Sequence, residues 1–240
     1  MYFDLIIYGD IDEDELTWSP VTHEGITATV KKIAARDSWA WPQWSSSWSD
    51  HILDKDEFFN SHIFMRVTLT GPEARRQWYN SYPSPIAKPR LPRTFELVGK
   101  DREGNEVVKY GFVLQKWFVT RGDGWKSQPE QISWCSRLGY RLSQARDLTN
   151  SVCSPRDDIY NCQGIVTATP SSSSHSVERR IGAGLLADWG SIMMYTGAGF
   201  YSDAWVSDEL DNRRFWLEID TGGISGTRKN GNLGAICTIP

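Results

Sequence analysis

Residues 63–70 read IFMRVTLT, in which Ile63, Met65, Val67 and Leu69 alternate with Phe64, Arg66, Thr68 and Thr70. That period of two predicts a strand with one buried face, because successive side chains of an extended chain point to opposite sides. Two runs rich in β-branched and aromatic residues precede it, YFDLIIYG from residue 2 and GITATVKKIA from residue 25. Further on, TFELVG and EVVKYGFVL flank KDREGNE, whose Gly104-Asn105 pair supplies the turn of a hairpin. Short strands at this spacing imply an antiparallel sandwich. Between them, NSYPSPIAKPRLPR places Pro83, Pro85, Pro89 and Pro92 in one stretch, which predicts an extended connection and excludes a helix.

The second half changes period. Ile132, Cys135 and Leu138 recur at helical spacing and stop at Gly139, so a helix is expected from about Pro129. A second helix is expected in SSSSHSVERRIGAGLLADWG, where Val177, Ile181, Leu185 and Trp189 would form one face ending at Gly190, despite Gly182 and Gly184. Three strand candidates close the chain: DAWVSDE, RRFWLEIDT and GNLGAICTIP. The order of elements is α+β.

Composition narrows the setting. The 240 residues are 40% hydrophobic and 23% charged, an ordinary globular balance. A net charge of −4 with no dense Lys/Arg run leaves no footprint for nucleic acid or an anionic membrane, and neither partner is expected. The start, MYFDLIIYGDIDEDE, turns acidic where a signal peptide needs a basic leader. The chain is therefore expected to be cytosolic or a piece of a larger exported chain. Four cysteines, none at metal spacing, favour the exported reading and two disulfides, which we expect as Cys135–Cys237 and Cys153–Cys162. Four buried free thiols in a cytosolic protein is the other reading.

At SWCSRLGYRLSQARDLTN, DAWVSDELDNRRFWLEIDTGG and GNLGAICTIP the chain resembles the C-terminal adhesion domain of Gram-negative bacterial surface adhesins, invasin/intimin-like with a C-type-lectin-like fold. In that family a Cys on the first helix bonds to a Cys on the last strand, G-x-R-L-x-x-x-x-D-L follows the helix, and a W-x-S-x strand precedes the final hairpin. Here these are Cys135 with Cys237, Gly139 to Leu142 leading to Asp147-Leu148, and Trp205 to Asp208. The resemblance covers about residues 110–240. It implies a β-rich Ig-like or accessory domain over 1–108 and a C-type-lectin-like adhesion domain over 109–240. The chain would then be the distal tip of a longer, outer-membrane-anchored surface protein that holds a host-cell receptor, a protein or a glycan. A cell-to-cell contact module is the remaining alternative.

The resemblance also implies where contacts lie. Loops before the final strands would present Tyr201, Asp203, Trp205, Asp208, Glu209, Asp211, Arg213 and Arg214, aromatic and charged types that dominate binding hot spots. Arg121-Gly122-Asp123 matches the tripeptide that many integrin ligands display, in a Gly-rich turn expected to be exposed. The densest aromatic run, SWAWPQWSSSW, carries Trp39, Trp41, Trp44 and Trp48, which would either pack a seam or form an open platform for sugar rings. Calcium-mediated sugar binding is not expected, because WVSD stands where a calcium-ligating strand would be, and QPE at residues 128–130 belongs to a helix start. Asp10, Asp12 and Asp14 imitate an EF-hand start but lack its Gly and its final Glu. The four histidines, His23, His51, His62 and His175, are scattered without a paired nucleophile, so neither an enzyme nor a cofactor is expected.

Overall fold

The alternating segment Ile63–Thr70 is a strand, and its Met65, Val67 and Leu69 are buried. The opposite face is not plain solvent: Arg66 makes two 2.8 Å hydrogen bonds to the Asp4 carboxylate and lies over the Tyr2 ring. The computed structural model describes residues 1–8, 11–34, 63–153, 161–190, 192–195, 197–227 and 231–240. It divides into two units, Met1–Pro72 with Pro89–Lys116, and Glu73–Lys88 with Trp117–Pro240.

Among the described residues the elements of the first unit are strands: β1 (Tyr2–Leu5), β2 (Thr17–Trp18), β3 (Val21–His23), β4 (Ile26–Ala34), β5 (Ile63–Thr70), β6 (Arg93–Lys100) and β7 (Glu106–Leu114). They form two antiparallel sheets, ordered β1-β5-β4-β3 and β2-β6-β7. Aromatic rings join the sheets, with Phe3 5.4 Å from Phe112 and His23 5.1 Å from Phe95. The hairpin turns where expected, with Gly104 at φ +86°.

The second unit contains β8 (Phe118–Thr120), α1 (Gln128–Arg137), β9 (Arg141–Leu142), α2 (Ala145–Leu148), α3 (Leu185–Trp189), β10 (Ala204–Leu210), β11 (Arg213–Leu217), β12 (Ile224–Thr227) and β13 (Gly234–Thr238). Its sheet runs β12-β11-β10-β13-β8, with β9 also paired to β13. The fully buried β13 is central, parallel to β10 and antiparallel to β8 and β9. Cys135 on α1 is bonded to Cys237 on β13, and Trp78, Trp134, Leu138, Tyr140 and Trp205 pack around that bond. The chain as a whole is α+β.

Three expectations are corrected. The expected division at 108/109 falls inside β7, which pairs with β6 along its length; the change of unit comes after Lys116, and Glu73–Lys88 belongs to the second unit. The second helix is only Leu185–Trp189, and Ile181 is 99% exposed. Gly182 at φ +85° and Gly184 at φ +103° are left-handed, so the helix cannot extend back through them. The buried residues of α1 are Gln128, Gln131, Trp134 and Cys135, followed by Leu138 at its C-cap, while Ile132 is 40% exposed. That face has helical spacing but begins with two glutamines: the Gln128 amide donates to the Val206 carbonyl (2.7 Å), and the Gln131 amide to the carbonyls of Gly124 (2.9 Å) and Leu233 (2.7 Å).

Candidate functional site

The tripeptide Arg121-Gly122-Asp123 directly follows β8, and it does not project its arginine. Arg121 is 2% exposed; its Nε donates to the Trp78 carbonyl (2.9 Å), its Nη1 to Gln131 Oε1 (2.9 Å), and its guanidinium lies 5.0 Å over Trp134. Burial holds its pKa below the ordinary arginine value, with Glu130 pulling the other way. The expectation of an exposed integrin motif is therefore corrected: the arginine is a structural bolt, and of the three residues Asp123 alone is exposed.

That bolt fixes a surface. Trp78 follows a single 3-10 turn, Arg75–Gln77, and its Nε1 donates to the Thr120 carbonyl (2.9 Å). Gly122 (φ +59°) and Gly199 (φ +85°) press on the Trp78 ring, where a Cβ at either position would collide with it. Arg75 lies 5.3 Å over the same ring and donates to the Gly197 carbonyl, and Thr120 Oγ1 donates to the Gly199 carbonyl (3.1 Å). Three segments of the second unit, 75–82, 120–126 and 197–201, are thus stapled around Arg121 and Trp78.

From these segments project Tyr79 (75% exposed), Trp125 (53%) and Tyr201 (49%). Tyr201 meets Trp78 edge to face at 6.1 Å, and the Tyr79 hydroxyl donates to Asp123 Oδ1 at 2.6 Å. That hydrogen bond, followed by partial desolvation and the charges of Asp123 and Tyr201, raises the Tyr79 pKa. Of the expected contact residues, Tyr201 and Asp123 thus belong to one face. Trp78 and Tyr79, which complete it, were not foreseen; the signal was the aromatic run QWYNSYP beside the proline-rich connection.

Most other expected contacts turn inward. Trp205 is 2% exposed and donates from Nε1 to the Lys126 carbonyl (3.0 Å). Asp203 accepts the Ile219 N–H (3.0 Å), and Asp208 accepts the Ala145 N–H (2.8 Å) at the start of α2. Burial pushes both carboxyls above the ordinary aspartate pKa. Arg213 donates to the carbonyls of Asn161 (3.0 Å) and Gln163 (3.1 Å), beside Cys162, which is bonded to Cys153. Arg214 is half-buried in β11. Glu209 is exposed near the end of β10, and Asp211 is exposed in the β10–β11 turn, where Asp211 and Asn212 both take positive φ. Trp39, Trp41, Trp44, Trp48, His51 and His62 lie outside the described residues. Among the described residues no group of three or more His, Cys, Asp or Glu side chains is placed to hold a metal ion.

Fold and site together define an α+β chain with an exposed aromatic face on its second unit, anchored on buried Arg121 and Trp78. No family model matches the chain, and no curated protein matches it. Among solved structures it is similar to invasin, described as a bacterial integrin-binding protein, at 13% identity and a TM-score of 0.39, over 64% of this chain. The chain spans 27% of that structure. No helix among the described residues is long and apolar enough to cross a membrane.

Proposed function

We propose that this chain is the distal recognition module of a bacterial surface adhesin, that its second unit is C-type-lectin-like, and that it holds a host-cell surface molecule without calcium and without chemistry. The observation that carries this reading is the bond from Cys135 on the first helix to Cys237 on the last strand. The family's other motifs fall in order around it: Gly139 at φ +85° ends α1, Arg141-Leu142 is β9, Asp147-Leu148 closes α2 and Trp205 to Asp208 lies in β10. Two disulfides also suit an oxidising, extracytoplasmic setting. The contact surface in this reading is the face of Tyr79, Asp123 and Tyr201, because its segments are already ordered and binding has little loop entropy to overcome.

Adhesion of the purified, labelled chain to intact epithelial cells, with and without EDTA, tests the proposal. Saturable binding that EDTA leaves unchanged is expected. Absence of binding to every cell type tried overturns the adhesin reading, and loss of binding in EDTA overturns the calcium-free mechanism.

A further inference from the structure

The chain's own cations already occupy several rings of this region: Arg75 lies over Trp78, Arg121 over Trp134, and Arg137 over Tyr82 at 4.8 Å. Tyr79, Tyr201 and Trp125 have no cation over them among the described residues and remain open. Beside them stand groups that make hydrogen bonds rather than aliphatic packing. The Asp123 carboxylate holds the Tyr79 hydroxyl through Oδ1, which leaves further lone pairs to accept donors. The Tyr79 oxygen, having donated its proton, can itself accept. Arg75 is about half exposed; beyond its hydrogen bond to the Gly197 carbonyl and its 3.7 Å ion pair with Glu73, its guanidinium has further N–H donors.

A protein–protein interface core shares the tyrosine, tryptophan and arginine but is depleted of aspartate, whereas here an exposed aspartate, Asp123, stands at the centre of the face. Isolated open rings bordered by a carboxylate and a guanidinium fit a sugar ring instead. A pyranose offers an apolar C–H face to stack on the ring and a rim of hydroxyls that both donate and accept. We infer that the Tyr79–Asp123–Tyr201 face, with Trp125 on the adjoining turn, is a calcium-free glycan-binding site. The inference rests on the adhesin reading and names its ligand class. The sugar hydroxyls would meet Asp123 and Arg75 directly, with no bridging cation.

The test is a printed array of neutral and sialylated oligosaccharides probed with the whole chain in EDTA, alongside adhesion to cells before and after enzymatic removal of N- and O-glycans. Expected are binding to a defined group of glycans, loss of cell adhesion on deglycosylation, and a fall in affinity of about tenfold or more for Tyr201→Ala and for Asp123→Asn. Tyr79→Phe keeps the ring but removes the hydroxyl that holds Asp123, so a smaller, severalfold fall is expected. Trp125→Ala is the second ring variant should Tyr201→Ala disturb Trp78, and unchanged near-UV circular dichroism checks each fold. An empty array with adhesion that survives deglycosylation overturns the glycan site while leaving the adhesin reading in place. Adhesion lost in Tyr201→Ala but unaffected by deglycosylation makes the face a protein contact and also overturns the inference. No adhesion to any cell, with an empty array, overturns both.

Discussion

Arg121 shows how a side chain expected to face a receptor can be the costliest one to remove from the fold. Its guanidinium is out of water, and its Nε and Nη1 bond to Trp78 O and Gln131 Oε1. Arg121→Met fills much the same volume but leaves both acceptors without those donors, so a loss of about 2–4 kcal/mol is expected, at hydrogen bonds of a charged donor. Asp123→Glu, on the exposed side of the same turn, should change stability by less than about 0.5 kcal/mol. Urea titrations of the two variants check this; similar stabilities would mean that Arg121 is not buried as described. A second residue-scale consequence concerns pH. Asp208 has its folded pKa raised by burial above the ordinary 3.8, so the folded state binds the extra proton. Its contribution is fully present below the ordinary value and is lost as pH rises through the raised one. Asp208→Asn keeps an acceptor for the Ala145 N–H, and its stability profile from about pH 4 to 7 should fall less than that of the parent chain. Parallel profiles would place the titration elsewhere.

At the scale of elements, strands were readable where one face is buried and the other polar, as in β5, and where turn chemistry bounded them, as in β6 and β7. Helices were misread where the sequence pattern competes with backbone geometry or with polar burial. Gln131 can stand in the buried face of α1 because its amide is partnered at both ends, a property no hydrophobic pattern carries. Val177, Ile181, Leu185 and Trp189 keep a helical spacing, yet the chain turns through left-handed glycines and Ile181 faces water. The recognition face was hardest to foresee, since it joins residues 79, 123 and 201 through buried Arg121 and Trp78. Glycine substitution separates the expected helix from the observed turn. In a continuous helix, Gly→Ala at 182 or 184 would stabilise by about 1 kcal/mol each. Here Gly182→Ala meets open space but a left-handed φ and should cost about 1–2 kcal/mol. Gly184→Ala should cost more, because its Cβ would also stand 2.8 Å from the Leu148 carbonyl carbon. Thermal melts of both variants give the sign directly, and a raised Tm for either contradicts the turn.

For the whole molecule the decisive point is that the second unit is not continuous in sequence. A fragment cut at the 108/109 division would carry the disulfide, α1 and the entire β8–β13 sheet, yet lack Glu73–Lys88. That stretch supplies the Trp78 carbonyl to Arg121, the Asn80 carbonyl to Trp134 Nε1 (3.1 Å), the Ala87 carbonyl to the Tyr140 hydroxyl (2.6 Å) and the Ile86 N–H to the Leu138 carbonyl (3.1 Å). The Tyr140 site is dry enough that burial lifts the phenol pKa to about 12. Orphaning a buried polar group costs about 1–3 kcal/mol, so four such losses come to roughly 4–12 kcal/mol. A domain of this size has only about 5–15 kcal/mol to lose. The Cys135–Cys237 bond cannot make up the difference, because its loop-closure contribution, about 4.7 kcal/mol for a loop near 100 residues, is already present in both fragments. Fragment 109–240 is therefore expected to lack the near-UV circular dichroism of fixed tryptophans, whereas fragment 73–240 should show it. Adding the peptide 73–88 to the shorter fragment should restore part of the signal, since its contacts gather on α1, Tyr140, the turn after β8 and residues 197–201, all of which that fragment carries. A fully folded 109–240 fragment would mean that the proline-rich stretch is an accessory strap rather than part of the core.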